Sequence, residues 1–256
     1  LTDWDEVRKI DLIRQSGHPQ EALEELQRLR ITCADNEARA SILLNESVCY
    51  CDLGRYPEAV EAAEIALRLL PAESPSRPFA EFSLACAHQL NGKLELAAEE
   101  LRAFLLRHRV LLEAEDNVPL RREAQHRLAA TSISLGHGRE PMFLLEILKA
   151  EATHPAEVAE LTYREAQANV FLGRHAVALD LFEQALAGAL DFQFVARAHF
   201  HVGEILFGFH EFQRALREFE LATRLAAKDS PDREAFANWL SAADAELRKS
   251  SREALT

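Results

Sequence analysis

Glycine and proline are scarce in this 256-residue sequence, nine of each. Scarce helix breakers favour long helices, and few β-branched residues beside abundant Ala, Leu, Glu and Arg leave strands little material. The composition therefore reads as all-α. Lysine is rarer still: Lys9, Lys93, Lys149, Lys228 and Lys249 stand against many arginines, a bias associated with GC-rich bacterial genomes. With a formal net charge of −13, the chain repels phosphate backbones, so a nucleic-acid partner is not expected. Four cysteines, Cys33, Cys49, Cys51 and Cys86, include no CxxC pair. On a helix Cys49 and Cys51 point about 200° apart, which leaves them as small core or groove thiols in a reducing compartment. No apolar run reaches the ~18 residues of a membrane span, and no charged-then-apolar leader opens the chain. A cytoplasmic location follows as an expectation, although a chain that begins on Leu leaves an upstream signal or anchor open.

Catalytic motifs are missing as well. There is no Gly-rich phosphate loop, HExxH pair or nucleophile elbow. His199 and His201 diverge on a helix, and His201 with Glu204 reads as a solvated or structural pair. The expectation is a protein that is not an enzyme, with no catalytic residues, no metal site and no cofactor.

What the sequence does contain is a repeat. In CDLGRYPEAVEAAEIALRLLP, Cys51 to Pro71, Gly54 is followed at five and twelve residues by Ala59 and Ala66. The anchor recurs as Gly17, Gly92, Gly138, Gly173 and, by substitution, His210, at intervals of 35 to 46 residues. Five residues on lie Ala22, Ala97, Ala178 and Ala215, with Phe143 the exception. Nine on lie mostly bulky residues, Leu26, Leu101, Ile147, Phe182 and Phe219. Seven residues before the anchors stand Ser47, Ala85, Thr131, Ala166 and Gly203. Small against large at fixed offsets is what two antiparallel helices need for their axes to close to about 8–10 Å.

These residues resemble the tetratricopeptide repeat (TPR) family, whose unit is a helix, a turn and a second helix. The resemblance implies a right-handed α-solenoid of antiparallel helix pairs. A single array over 3–227 would hold about six units, at 3–36, 40–73, 78–111, 124–157, 159–192 and 196–229. In the fourth unit, Gly136 competes with Gly138 as anchor. Prolines in Ser74-Pro-Ser-Arg-Pro78, Asn117-Val-Pro119, His154-Pro155 and Ser230-Pro231 mark the starts of first helices. The surplus at 108–119 reads as a lengthened second helix plus a loop. Over 230–250, Phe236, Leu240, Ala243 and Leu247 form one apolar stripe, as a terminal capping helix requires.

In this family the concave face takes residues thirteen, ten, six and three before the anchor. Those offsets give a candidate groove of Leu44, Val48, Phe79, Phe82, Cys86, Gln89, Tyr163, Gln167, Arg197, Phe200, Glu204 and Phe207, with Val170 beside them. The first unit adds Trp4, Val7, Asp11 and Arg14. An alternative is that several of these pack on neighbouring helices, or that the terminal helix folds into the groove. No lysine falls on these positions, so a clamp for a peptide's terminal carboxylate is not expected. The leading reading is a non-enzymatic scaffold or adaptor that binds a peptide or helical segment of a partner protein in its concave groove. Two others are a ligand- or peptide-sensing regulatory segment of a larger signalling protein and an envelope or secretion assembly factor. A further reading is self-association through the convex face or through incomplete caps.

Overall fold

The computed structural model describes residues 3–228 and 230–253, with the side chains of 3, 4 and 251–253 outside the description. Among the described residues there are fourteen α-helices and one 3₁₀ turn, and no strand. The chain divides into two compact units, Leu1–Leu135 and Gly136–Thr256. That boundary falls inside the fourth expected repeat.

The first unit contains α1 (Asp3–Gln15), α2 (Pro19–Thr32), α3 (Asn36–Asp52), α4 (Tyr56–Leu69), α5 (Arg77–Leu90), α6 (Leu94–Arg107), the single turn α7 (Arg109–Leu112) and α8 (Val118–Ser134). Each long helix packs on the next, and the first helices of successive hairpins also touch: α1 on α3, α3 on α5, α5 on α8. The second unit contains α9 (Arg139–Glu151), α10 (Pro155–Phe171), α11 (His175–Ala187), α12 (Phe192–Gly208), α13 (Phe212–Leu225) and α14 (Asp232–Glu253). Again neighbours in sequence are neighbours in space. Each unit is thus a run of TPR-like α-solenoid.

The anchors earn their place through the backbone. Gly54 has φ +72°, a left-handed conformation that only glycine adopts without strain. Its N–H donates to the Cys51 carbonyl at 3.0 Å and that of Arg55 to the Tyr50 carbonyl at 2.8 Å, which ends α3 and satisfies its last carbonyls. His210 adopts φ +62° at the corresponding turn and is the one non-glycine among the described residues to do so.

The same criterion settles the fourth anchor as Gly136. It has φ +77°, whereas Gly138 has φ −103°, so the expected register shifts by two residues. Five, nine and twelve residues beyond Gly136 stand Pro141, Leu145 and Leu148, all buried. The displaced Phe143 is exposed. The 108–119 segment also differs from expectation. α6 stops at Arg107, where His108 leaves helical geometry at φ −101°, and the Arg107 and His108 side chains both reach Glu81 of α5, at 2.6 and 2.9 Å. Buried Leu112 then pins α7, and the 3₁₀ turn Glu115–Asn117 leads directly into α8.

Packing of small on large appears at atomic scale in α12 and α13. A Cβ on Gly203 would sit 2.6 Å from Cε1 of Phe219, whose side chain is fully buried. In α3 and α4 the residues at the same offsets are both small, Ser47 and Ala63, both buried, and the Ser47 hydroxyl donates to the Ala59 carbonyl at 2.8 Å. Burying one phenylalanine of this kind contributes about 1.5–3 kcal/mol. In α14, Phe236 and Ala243 are buried and Leu240 is half-buried, while Ala237, Asn238 and Ser241 face solvent.

Candidate partner-binding groove

In the first unit the inner faces of α3 and α5 enclose a cavity of about 640 Å³. Leu44 and Val48 from α3 and Phe79, Phe82 and Cys86 from α5 line it, five of the residues that repeat spacing marks as groove-facing. Ser41, Asn45, Ser47, Cys51, Asp52, Ser76, Ser83, Leu90 and Arg127 complete the wall. Phe79 is 47% exposed, Leu90 42% and Val48 38%. Phe82 stands deeper, its ring 5.5 Å from that of Phe104. Gln89 does not line the cavity; its amide nitrogen donates to Thr131 Oγ1 at 2.8 Å and its oxygen accepts from Arg127 at 2.9 Å, which ties α5 to α8.

The cavity has a local cause in the sequence. α3, α8, α10 and α12 each begin eighteen residues before their turn residue, but α5 begins only fifteen before Gly92. Pro78 has no N–H to give the carbonyl of Ser74, and its ring would clash there, so a helix cannot start a turn earlier. Instead the Arg77 N–H closes a tight turn on the Ser74 carbonyl at 3.1 Å, and the Ser74 hydroxyl donates to Glu37 at 2.6 Å. One helical turn is missing where it would have roofed Leu44.

The walls are electrically quiet. Burial pushes the Cys86 thiol up to about 12 and raises that of Cys51, so both stay protonated at neutral pH. Arg127 is held by Glu123 at 2.7 Å. Asp52 is held by Arg14 at 2.9 Å, and Arg14 also grips Asp11 at 2.8 Å. A second cavity of about 570 Å³ adjoins the first through the shared wall residues Ser41 and Asn45. Val7, Arg8, Asp11 and Leu12 of α1 line its far side. The side chain of Trp4 lies outside the described residues.

In the second unit the groove-facing offsets lead elsewhere. Tyr163 is only 2% exposed, with Phe194 of α12 at 5.4 Å and Phe182 at 5.6 Å between ring centroids. Burial pushes its hydroxyl up to about 12. Phe200 stacks on Phe236 of α14 at 4.5 Å, and Phe207 meets Trp239 of α14 edge-on at 5.3 Å. Arg197 pairs with Asp232 at the start of α14, at 2.6 Å. Gln167 donates to the Tyr163 hydroxyl at 3.1 Å. Tyr163 and Phe200 thus belong to the packing between first helices rather than to an open surface, because position ten before the turn faces the next first helix, while Arg197 stays about half exposed. Glu204 does face a small cavity of about 310 Å³, with Val170, His175 and His201, and accepts from His201 at 2.9 Å.

Pro75 and Pro78 mark the start of a first helix, as expected, and they also shorten it by a turn, which the repeat spacing alone does not reveal. The signal was present in the two prolines spaced three apart before the third anchor. No group of three His, Cys, Asp or Glu side chains is arranged to hold a metal ion among the described residues. No helix among them is long and apolar enough to cross a membrane.

The fold is that of a tetratricopeptide-repeat protein. Among solved structures the chain is similar to a kinesin light chain-like protein of nearly identical TPR-like repeats from Podosopora anserina, at 26% identity and TM-score 0.59, covering 72% of this chain and 92% of that one. It is similar to a tetratricopeptide repeat protein from Parabacteroides merdae at 18% identity and TM-score 0.60, covering 93% and 82%. A chain of the APC/C hetero-tetramer Cut9-Hcn1 matches at 14% identity and TM-score 0.68, covering 93% of this chain and 42% of that one. No protein-family model and no curated protein matches the sequence.

Proposed function

We propose that this chain is a non-enzymatic protein-interaction scaffold that holds a peptide or helical segment of a partner protein against the inner face of its first unit. The observation that carries this reading is the open, largely apolar cavity between α3 and α5, floored by Leu44, Val48, Phe79 and Phe82, whose two charged wall residues, Asp52 and Arg127, are each paired. Apolar side chains left at a concave surface are unfavourable in water and favour an apolar occupant. The similarity to TPR proteins, one of them solved as a hetero-tetramer, supports an interaction role. Burying the exposed parts of Phe79, Leu90 and Val48 supplies a few kcal/mol, which offsets the cost of association enough for affinities near micromolar.

The test compares wild type with the Val48→Ser/Phe79→Ser double variant as bait in a native lysate, with captured proteins identified by mass spectrometry. Both side chains are more than a third exposed, so the variant should keep its helicity and melting temperature. A partner held by wild type and lost to the folded variant supports the groove. Identical capture by both removes it.

A further inference from the structure

The second unit contains, already filled, the space that the first leaves open. Ten residues before its turn, Tyr163 of α10 is roofed by the ring of Phe194, sixteen residues before the next turn residue His210. One hairpin later Phe200 of α12 is roofed by Phe236 from the first turns of α14. In the first unit, Leu44 is the residue ten before its turn, and the position sixteen before Gly92 is Ser76, which caps the shortened α5 and lines the cavity with Leu44. A hydroxymethyl group stands where the second unit carries a benzyl group.

We infer that the cavity takes an uncharged aromatic side chain of a partner peptide, seated over Leu44 as Phe194 is seated over Tyr163. This deepens the proposed function and rests on its groove. An aromatic ring suits the site because Leu44, Val48, Phe79 and Phe82 surround it with apolar surface. Ring contacts of this kind add stabilisation beyond area alone. A charged group does not suit it. The thiols are neutral, and Arg127 and Asp52 are each held by a partner of opposite charge. Peptide binding should therefore depend on shape and apolar contact rather than on screened charge.

The test pans a random 12-residue peptide library on the whole chain and measures synthetic consensus peptides by fluorescence anisotropy. The expected consensus carries Phe, Trp or Tyr. Replacing that residue with Ala should weaken binding about tenfold or more, as loss of a buried ring implies. Raising salt from about 50 to about 500 mM should change affinity less than about threefold. Two variants fill the cavity from different walls, Ser76→Phe from the cap and Ser83→Phe from α5. Each folded one should lose the peptide while keeping its melting temperature. A consensus without an aromatic residue, a steep salt dependence, or full binding by a folded filled variant overturns the inference. If those peptides are still lost on Val48→Ser/Phe79→Ser, the groove stands and only its aromatic occupant falls. If they bind that double variant unchanged, or if no peptide is enriched, both fall.

Discussion

Leu44 in the first unit and Tyr163 in the second occupy one repeat position with opposite fates. Tyr163 is buried under a ring from the next first helix, and Leu44 looks into an open cavity. The difference does not lie in bulk, since both residues present a large hydrophobic side chain. It lies in the start of the following helix, full-length in α12 and one turn short in α5. In a solenoid each repeat is completed by its neighbour, so its inner face opens where that neighbour withholds a turn. Pro119 and Pro155, in the first turns of full-length α8 and α10, withhold nothing, whereas Pro78 falls where the fifth residue of a longer helix would have to donate to Ser74.

A second shared position sharpens the contrast. Thirteen residues after one turn and eight before the next, the first unit places Arg30 and Glu46, 2.8 Å apart, and the second places Lys149 and Glu165, 2.6 Å apart. The Glu46 side chain is 2% exposed and that of Glu165 is 23% exposed. Removing the cation from a buried pair costs about 3–5 kcal/mol and from a half-wet pair much less. Arg30→Leu should therefore produce the largest loss in urea unfolding at neutral pH, and Lys149→Leu a small one. Burial already raises the Glu46 carboxyl above its ordinary range, and Arg30 pulls it down. Without Arg30 it rises further. A carboxyl raised in the folded state stabilises below its unfolded pKa and loses that contribution as pH climbs through the folded value. The Arg30→Leu deficit should thus close on acidification toward pH 4 and open toward pH 7. A pH-independent deficit would mean that the loss is packing alone. At the same position Leu67 and Leu84 share a cluster, as do Leu186 and Val202, so Arg30→Leu/Glu46→Leu should recover most of the loss.

Next in size is Phe200→Ala in the second unit. It removes the contacts to Phe236, Phe219 and Trp239 and should lower stability by about 3 kcal/mol. Gly203→Ala follows, at about 1–3 kcal/mol, because the new methyl meets the Phe219 ring in a fully packed interior. Both are read as shifts in denaturation midpoint. The matching change in the first unit, Ser47→Ala, leaves the Ala59 carbonyl without its 2.8 Å donor and should cost about 1 kcal/mol without any overlap.

Most of the helical architecture is legible in the sequence because its signals are local. Turn glycines, alanines at fixed offsets and prolines at helix starts each act within a few residues, and all survive in a single chain. The shift from Gly138 to Gly136 shows the limit, since both glycines fit the spacing and only the left-handed backbone at Gly136 separates them. The site is less legible. The offsets that mark Phe79 and Phe82 as groove residues mark Tyr163 and Phe200 as well, and what covers the latter two comes from another hairpin. Reading exposure from a repeat requires the first turn of the following helix as well as the face of the helix in question. Ser76 against Phe194 was visible on that basis.

The smallest effect falls on the residue that matters most to the proposed function. Phe79 sits thirteen residues before its turn with nearly half its surface in water, so Phe79→Ala should alter stability by no more than about 0.5–1 kcal/mol. Phe200→Ala, an identical change of side chain, costs several times as much because α14 covers that ring. The pair separates packing from recognition: Phe200→Ala should cost stability and leave peptide affinity intact wherever the chain stays folded, and Phe79→Ala should do the reverse. Equal destabilisation by both, in melts run side by side, would mean that the inner face of α5 is as closed as that of α12 and that the two units do not differ in the way their helix lengths imply.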